Sequence, residues 1–223
     1  MTNMLCSLAT WQPGMADLSG TNKITLANIT VEAEGIGPQI RGALEQEMTR
    51  IFRLFGPSAF ENTKEAAAVH EAGHVVIYFL LGFRVKVAQI AVSPSGGWIG
   101  YTATHEREYL ARGAPNVAAA LKVARSLYAG YASERLFDPD FREGSSIDEI
   151  LMSQITASMA AQELNVPEQE YWSTEVHGFV HQSLAQHQLS VRAVAYRLLQ
   201  RYSLKGHELA QLCSAVKAQR SAH

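Results

Sequence analysis

The feature that most constrains this chain is the segment Val69-His70-Glu71-Ala72-Gly73-His74-Val75, an H-E-x-x-H pattern inside an apolar, alanine-rich stretch. In an α-helix, His70 and His74 stand at i and i+4, so both imidazoles leave the same face one turn apart. Two nitrogen atoms at that separation can reach one metal ion. Glu71, about 100° further round the helix, can then act as a general base toward water at that ion. The same pattern also arises by chance on ordinary amphipathic helices, so the rest of the chain must decide between the two interpretations.

The composition is that of a globular protein and not of a disordered chain. The 223 residues are 47% hydrophobic and 18% charged, with a net charge of −2, enough for one large domain or a domain with an extension. The sequence has no cluster of Lys and Arg residues that would indicate nucleic-acid binding. The longest apolar run, Val75 to Leu81, is far shorter than the about 20 residues of a membrane span, and residues 1–14 lack a signal-peptide pattern. We therefore expect a soluble, cytoplasmic protein in which Cys6 and Cys213 are two thiols, although one long-range disulfide is the alternative.

Hydrophobic periodicity predicts a mainly α fold with one small β-hairpin directly after the H-E-x-x-H helix. We expect a weak strand near residues 24–31, an amphipathic helix over 39–55, the motif helix over 63–81, strands over 85–92 and 98–104 around the turn Pro94-Ser95-Gly96-Gly97, and helices at about 116–137, 146–164, 167–187, 191–201 and 206–218. Asn62 with Glu65, and Ser146 with Glu149, are predicted to form capping boxes that open two of these helices. A break in the first hairpin strand is expected at Ala88-Gln89.

Two of these elements admit a structural and a functional interpretation. The helix over 39–55 either packs on the main body through its apolar stripe or binds a partner protein. The edge of the hairpin either covers the core or pairs with an extended substrate, as strands beside the metal of zinc peptidases do. The sequence alone leaves both pairs of alternatives open.

A catalytic zinc ion takes three protein ligands and keeps one position open, so a third ligand is needed beside His70 and His74. Glu134 begins the segment Glu134-Arg135-Leu136-Phe137-Asp138, an E-x-x-x-D pattern. Thermolysin-like enzymes use such a glutamate, from a helix that follows the H-E-x-x-H helix, as the third zinc ligand. Asp148 lies in the predicted first turn of a helix, where the helix N-terminus favours a carboxylate. Spacing does not choose between these two residues.

Several motifs, in the same order along the chain, resemble the peptidase domain of the FtsH-type family of ATP-dependent metalloproteases. The matching segments are His70-Glu71-Ala72-Gly73-His74-Val75-Val76 for H-E-A-G-H-A-V, Trp98-Ile99-Gly100-Tyr101-Thr102 for the strand L-G-x-T, Ala129-Gly130-Tyr131-Ala132-Ser133-Glu134 for A-G-R-x-A-E, Gly144-Ser145-Ser146-Ile147-Asp148 for G-A-S-N-D, and Leu204-Lys205-Gly206-His207-Glu208-Leu209 for L-x-G-x-E-[IL]. Together they cover roughly residues 62–213, which is more specific than H-E-x-x-H alone.

The resemblance implies a zinc metallopeptidase domain over residues 61–223, after an N-terminal extension over 1–60 that resembles no part of the family. It implies Zn²⁺ held by His70, His74 and Asp148, with Glu71 as the catalytic base and Glu134 as an acidic neighbour of the site. Ile147, Tyr131 and Arg135 depart from the family's Asn, Arg and Glu, but none of these changes removes a ligand or the base.

The chain contains no G-x-x-x-x-G-K-[ST] phosphate loop and no predicted transmembrane segment. We therefore expect an ATP-independent endopeptidase that cleaves flexible or unfolded polypeptides, with no nucleic-acid partner. Self-association and recruitment of a partner through residues 1–60 are further expectations. The alternative is a metal-stabilised interaction module that does not use proteolysis. His177 and His181, also at i and i+4, are interpreted as surface or packing residues in preference to a second metal site.

Overall fold

The computed structural model describes residues 21–26, 29–34, 38–92, 97–105, 116–142, 144, 146–214 and 216, with side chains described from residue 41. Within these residues the protein is mainly helical with a small antiparallel sheet, which confirms the predicted fold class. The helices are α1 (Pro38–Phe55), α2 (Lys64–Leu81), α3 (Val117–Phe137), α4 (Ile147–Leu164), α5 (Glu168–Tyr171), α6 (Phe179–Gln186), α7 (Gln188–Arg201) and α8 (Gly206–Leu212). The strands are β1 (Thr21–Leu26), β2 (Ile29–Glu34), β3 (Val85–Val92), β4 (Trp98–Thr104) and β5 (Ser203–Lys205).

Helix α2 is the centre of the fold. It packs against α3 and α7 and against strands β3 and β4. Apart from His70, Glu71 and His74 its interior positions are mostly apolar, and eleven of its residues are buried, as expected of a helix enclosed in a domain. The hydroxyl of Thr63 caps its N-terminus by accepting a hydrogen bond from the backbone N–H of Ala66, so the cap is Thr63 and not Asn62. Gly82 ends the helix with φ of 88°, a left-handed conformation that favours glycine.

Strand order in the sheet is β4–β3–β5, with both pairs antiparallel. The predicted hairpin strands have the predicted bounds, while residues 93–96 of the predicted turn lie outside the described residues. The register of the hairpin shifts between Val85 and Val87 and not at Ala88-Gln89. Between the last two predicted helices the sequence indicates a turn at Leu204-Lys205-Gly206, but Ser203–Lys205 is strand β5 because it pairs with Val87 to Gln89.

Helix α1 is the predicted amphipathic helix, and it packs on the main body. Its stripe of Leu44, Met48 and Ile51 is buried in a second apolar cluster with residues of α4 and with Ala59, which lies in the 3₁₀ turn Pro57–Phe60. Leu54 and Phe55, at the end of the helix, remain exposed. Whether its outer face binds a partner stays a prediction.

Two further predicted elements differ in detail. The weak strand expected over 24–31 is an antiparallel pair, β1 with β2, in which Ile24 faces Val31. The single helix expected from Pro167 to about His187 is α5 followed by a π-helical stretch, Trp172–Gly178, and α6. None of the described helices is long and apolar enough to cross a membrane.

Candidate metal centre

Helix α2 brings His70, Glu71 and His74 to the interior of the fold. Glu71 and His74 are 3% and 6% exposed, and His70 is half-buried. Burial of three ionisable side chains costs free energy unless each finds a partner that satisfies it. The partners of these three side chains therefore indicate what the site is built to hold.

The outer nitrogen of each imidazole is fixed by an acceptor. Nδ1 of His74 lies 2.9 Å from the backbone carbonyl oxygen of Ser126, which can only accept, so Nδ1 carries a proton. Nδ1 of His70 lies 2.6 Å from Oε1 of Glu134 and 3.1 Å from the hydroxyl of Ser146. Acceptors behind both rings orient the Nε2 atoms toward each other, which is how metal-binding histidines are usually held.

Three ligand atoms converge in front of these rings. The two Nε2 atoms are 2.9 Å apart, and Glu149 of α4 places Oε2 3.2 Å from Nε2 of His70 and Oε1 3.4 Å from Nε2 of His74. In a tetrahedral zinc site with bonds of about 2.0–2.1 Å, neighbouring ligand atoms are about 3.3 Å apart. The separations between the histidine nitrogens and the Glu149 oxygens are thus close to those between ligand atoms of a zinc site, with Oε2 beside His70 and Oε1 beside His74.

The carboxylate of Glu149 indicates a ligand of opposite charge. Within the described part of the chain, its Oε2 is a buried oxygen without a hydrogen-bond partner, although Nε2 of His70 is near. Burial raises the pKa of Glu149, but the charges of His74 and His70 outweigh it and hold that pKa well below its usual range. Burial lowers the pKa of His70, but Glu149 and Glu134 raise it by more, so the pKa of His70 lies well above its ordinary value. The pocket therefore favours positive charge beside Glu149, which a divalent cation supplies.

Glu71 lies beside this group under strand β4. The hydroxyl of Thr102 donates a hydrogen bond of 2.5 Å to Oε2 of Glu71. A Cβ atom on Gly100 would lie 2.2 Å from Oε1 of Glu71, so the strand passes too close to admit any other residue without displacement. Burial raises the pKa of Glu71, and the charges of His70 and His74 lower it in part. A buried carboxylate with a raised pKa beside a metal centre has the properties of a general base.

Small residues allow α3 to approach the site closely. A Cβ on Gly130 would lie 2.2 Å from the ring of His70, and a Cβ on Gly73 would lie 2.4 Å from Cβ of Ser133. The hydroxyl of Ser133 also donates to the carbonyl oxygen of Val69. This close approach puts Glu134 within reach of His70 and the carbonyl of Ser126 within reach of His74.

The structure brings together most of the residues predicted from sequence, with one difference at the third ligand. Among the described residues, the group able to hold a metal ion is His70, His74 and Glu149. Asp148 is next in the chain but outside this group, and its carboxylate accepts hydrogen bonds from its own backbone N–H and from that of Glu149. Withdrawal from water and the charge of Glu149 raise the pKa of Asp148 to about 6. Its ligand role stays a prediction from the family resemblance, while the geometry favours Glu149. Glu134 lies behind His70 and not at the converging nitrogens.

The spacing of Ser146 and Glu149 in the sequence predicts a capping box. Ser146 precedes α4 as its N-cap residue, but in a left-handed conformation with φ of 56° and without a side-chain cap. Its hydroxyl faces His70 and Glu134, and Glu149 points into the site and not back to the cap. The sequence held one signal for this role of Glu149: it is the second acidic residue in the helix turn that also contains the candidate ligand Asp148.

The other histidine pair belongs to an aromatic cluster. His177 and His181 stack with their ring centroids 4.3 Å apart, and the hydroxyl of Tyr128 lies 3.1 Å from Nε2 of His181. Burial, with the charges of His177 and Arg135, lowers the pKa of His181 to about 4. Neither histidine belongs to a metal-binding group of three among the described residues, consistent with packing.

Comparison with protein-family models and with curated proteins finds no match to this chain. The assignment of function therefore depends on the site itself.

Proposed function

We propose that this protein is a zinc-dependent endopeptidase of the FtsH-like kind, acting without ATP on flexible or unfolded polypeptides. The observation that carries the proposal is the convergence of His70 Nε2, His74 Nε2 and the Glu149 carboxylate beside the buried Glu71. The histidine tautomers, the distances between ligand atoms and the buried carboxylate of Glu149 all fit a bound cation. Two imidazoles with one carboxylate are a common ligand set for catalytic zinc.

His70, His74 and Glu149 would hold the ion. Zn²⁺ bound there would supply a Lewis acid that polarises a peptide carbonyl and lowers the pKa of water. Glu71 would take the proton of the attacking water and deliver it to the leaving amine. The hydrogen bond from Thr102 and the contact with Gly100 hold its carboxylate in one orientation, while Glu134 and the carbonyl of Ser126 keep both Nε2 atoms directed at the ion.

Strand β4 offers a way to present substrate to Glu71. It is the outer strand of the sheet, paired only with β3 within the described part of the chain. Gly100 and Thr102 lie on the face of β4 that contacts Glu71. An extended polypeptide paired along this edge through main-chain hydrogen bonds would pass beside Glu71. Such pairing requires an unfolded segment, which supports flexible polypeptides as the substrate class.

The test is degradation of casein, an unfolded protein, by zinc-loaded enzyme. Cleavage should stop on addition of 1,10-phenanthroline and return with added Zn²⁺. Glu71→Gln should retain zinc and lose about 10²- to 10⁴-fold in rate, the usual contribution of a general base. Glu65→Gln, at an exposed glutamate of the same helix, is the matched control and should cleave normally.

Two outcomes would contradict the proposal. If the purified protein binds no zinc, the proposed metal centre is refuted. A chain that binds stoichiometric zinc but leaves casein intact, with Glu71→Gln behaving identically, would instead identify a metal-stabilised interaction module.

A further inference from the structure

The helix that carries Glu149 is contacted on its other side by the N-terminal segment. In α4, Ile147, Leu151 and Ile155 follow one another at helical spacing and are 4%, 1% and 4% exposed. They form the second apolar cluster with Leu44, Met48 and Ile51 of α1. Glu149 is two residues from Ile147, about 200° round the helix. The first turns of α4 therefore lie between α1 on one face and the two histidines on the other.

The chain entering α4 is also fixed by the segment that follows α1. The backbone N–H of Gly144 donates to the carbonyl oxygen of Ala59 at 3.0 Å. A Cβ on Gly144 would lie 2.6 Å from that oxygen and 2.7 Å from the ring of Phe60. The guanidinium of Arg142 donates to the carbonyl oxygen of Ser58 at 2.8 Å. The 3₁₀ turn thus fixes the backbone just before the helix start.

Helix α4 packs mainly on α3, and at its start the hydroxyl of Ser146 faces His70 and Glu134. Ser146 is a non-glycine residue in the left-handed region and caps no backbone N–H of α4. Such a conformation persists only where the surrounding structure imposes it. The contacts of Gly144 and Arg142 to Ala59 and Ser58 and the apolar cluster with α1 are part of those surroundings, together with the contacts of Ser146 to His70 and Glu134.

We propose that α1 and the turn Pro57–Phe60 form an internal brace that positions Glu149 for metal binding. This rests on the proposed metal centre and extends it, because it assigns one positioning residue, Met48, outside the part of the chain that resembles a peptidase and a second, Arg142, that bonds to the turn. Met48, which is fully buried, and Arg142 act through Glu149 and do not touch the metal. Loosening the brace lets the first turn of α4 move away from the histidines and weakens the third ligand.

The experiment measures zinc affinity by competition with a chromogenic chelator, on the full chain. Met48→Ala should weaken zinc binding by about tenfold or more, as loss of groups that orient a ligand does. Met48→Leu, which conserves volume, should restore it. Leu209→Ala is the matched control, since Leu209 is equally buried but lies in the main cluster. It should lower the stability of the fold without a comparable change in zinc affinity.

A second comparison separates positioning from general loosening. In a Glu149→Gln background, Met48→Ala should have no further effect on zinc affinity, because the ligand that the brace positions is already impaired. Arg142→Gln, a milder change at the exposed bond to Ser58, provides the same test if Met48→Ala fails to fold, and it should weaken zinc binding in the wild-type background only.

The proposal is overturned if Met48→Ala and Arg142→Gln leave zinc affinity unchanged in a chain that binds zinc. It is also overturned if their effects persist in full without Glu149, or if Leu209→Ala weakens binding equally. In those cases the metal centre stands and the brace does not. A wild-type chain that binds no zinc refutes the metal centre itself, so the two failures are distinct.

Discussion

At the scale of single residues, the site depends on contacts so close that no larger side chain fits between the two residues. Gly100 is the clearest case, because any side chain there would overlap the carboxylate of Glu71. Glu71 is buried and held by Thr102, so it cannot move aside without losing that hydrogen bond. The identity of one strand residue thus controls the orientation of the proposed base on a neighbouring helix.

Replacement of Gly100 by alanine should therefore displace Glu71 and spare the metal ligands. We expect Gly100→Ala to lower casein cleavage by about 10- to 100-fold, a partial loss of general-base catalysis, with zinc affinity near that of the wild type. Gly97→Ala is the matched control, since its nearest contact would be 3.9 Å away. Equal activity in the two variants would show that the Glu71 orientation does not depend on β4.

His181 gives a prediction about pH that is independent of the metal. Burial, followed by the charges of His177 and Arg135, lowers its pKa from 6.5 to about 4. Between these values the unfolded chain binds a proton that the folded chain does not, so unfolding becomes easier as pH falls. The contribution of neutral His181 should be complete above pH 6.5 and should be lost progressively toward pH 4.

The measurement has two parts. Proton NMR should show the ring of His181 titrating near pH 4, and a midpoint near 6.5 would contradict the packing described here. Urea unfolding at several pH values should show a weaker pH dependence in His181→Gln than in the wild type.

At the scale of secondary-structure elements, the central helix owes its placement to signals that are local in sequence. Thr63 caps the N-terminus of α2 and Gly82 ends it. Removal of the cap in Thr63→Ala should lower the free energy of unfolding by about 1 kcal/mol. Thr63→Ser keeps the hydroxyl and should be near neutral. Denaturant unfolding of both variants checks this, and equal losses would contradict a role for the hydroxyl as a cap.

Elements whose position depends on distant contacts were predicted less well. Strand β5 has only three residues and is defined by its pairing with β3, which no local pattern encodes. Glu149 in the first turn of α4 has the spacing of a capping residue, and only the presence of His70 and His74 opposite shows where its side chain lies. By contrast, the bounds of β3, β4 and α2 followed from turn residues and periodicity.

At the scale of the whole molecule, the site is assembled from four parts of the fold. Helix α2 supplies two histidines and the proposed base Glu71, α3 supplies the acceptors behind the rings, β4 contacts Glu71, and α4 supplies the proposed third ligand. The spacing of His70 and His74 is readable from sequence because it lies within one helix. The choice between Asp148, Glu134 and Glu149 is not, since it depends on how three helices pack.

The most direct test of the account is therefore the position of the metal. Crystals of the full chain grown with Zn²⁺ should be measured on both sides of the zinc absorption edge. We expect an anomalous peak bonded to Nε2 of His70, Nε2 of His74 and the carboxylate of Glu149, at the distances of about 2.0–2.2 Å typical of zinc ligands. No peak at the two histidines, or a peak bonded to Asp148 or Glu134 in place of Glu149, would contradict it.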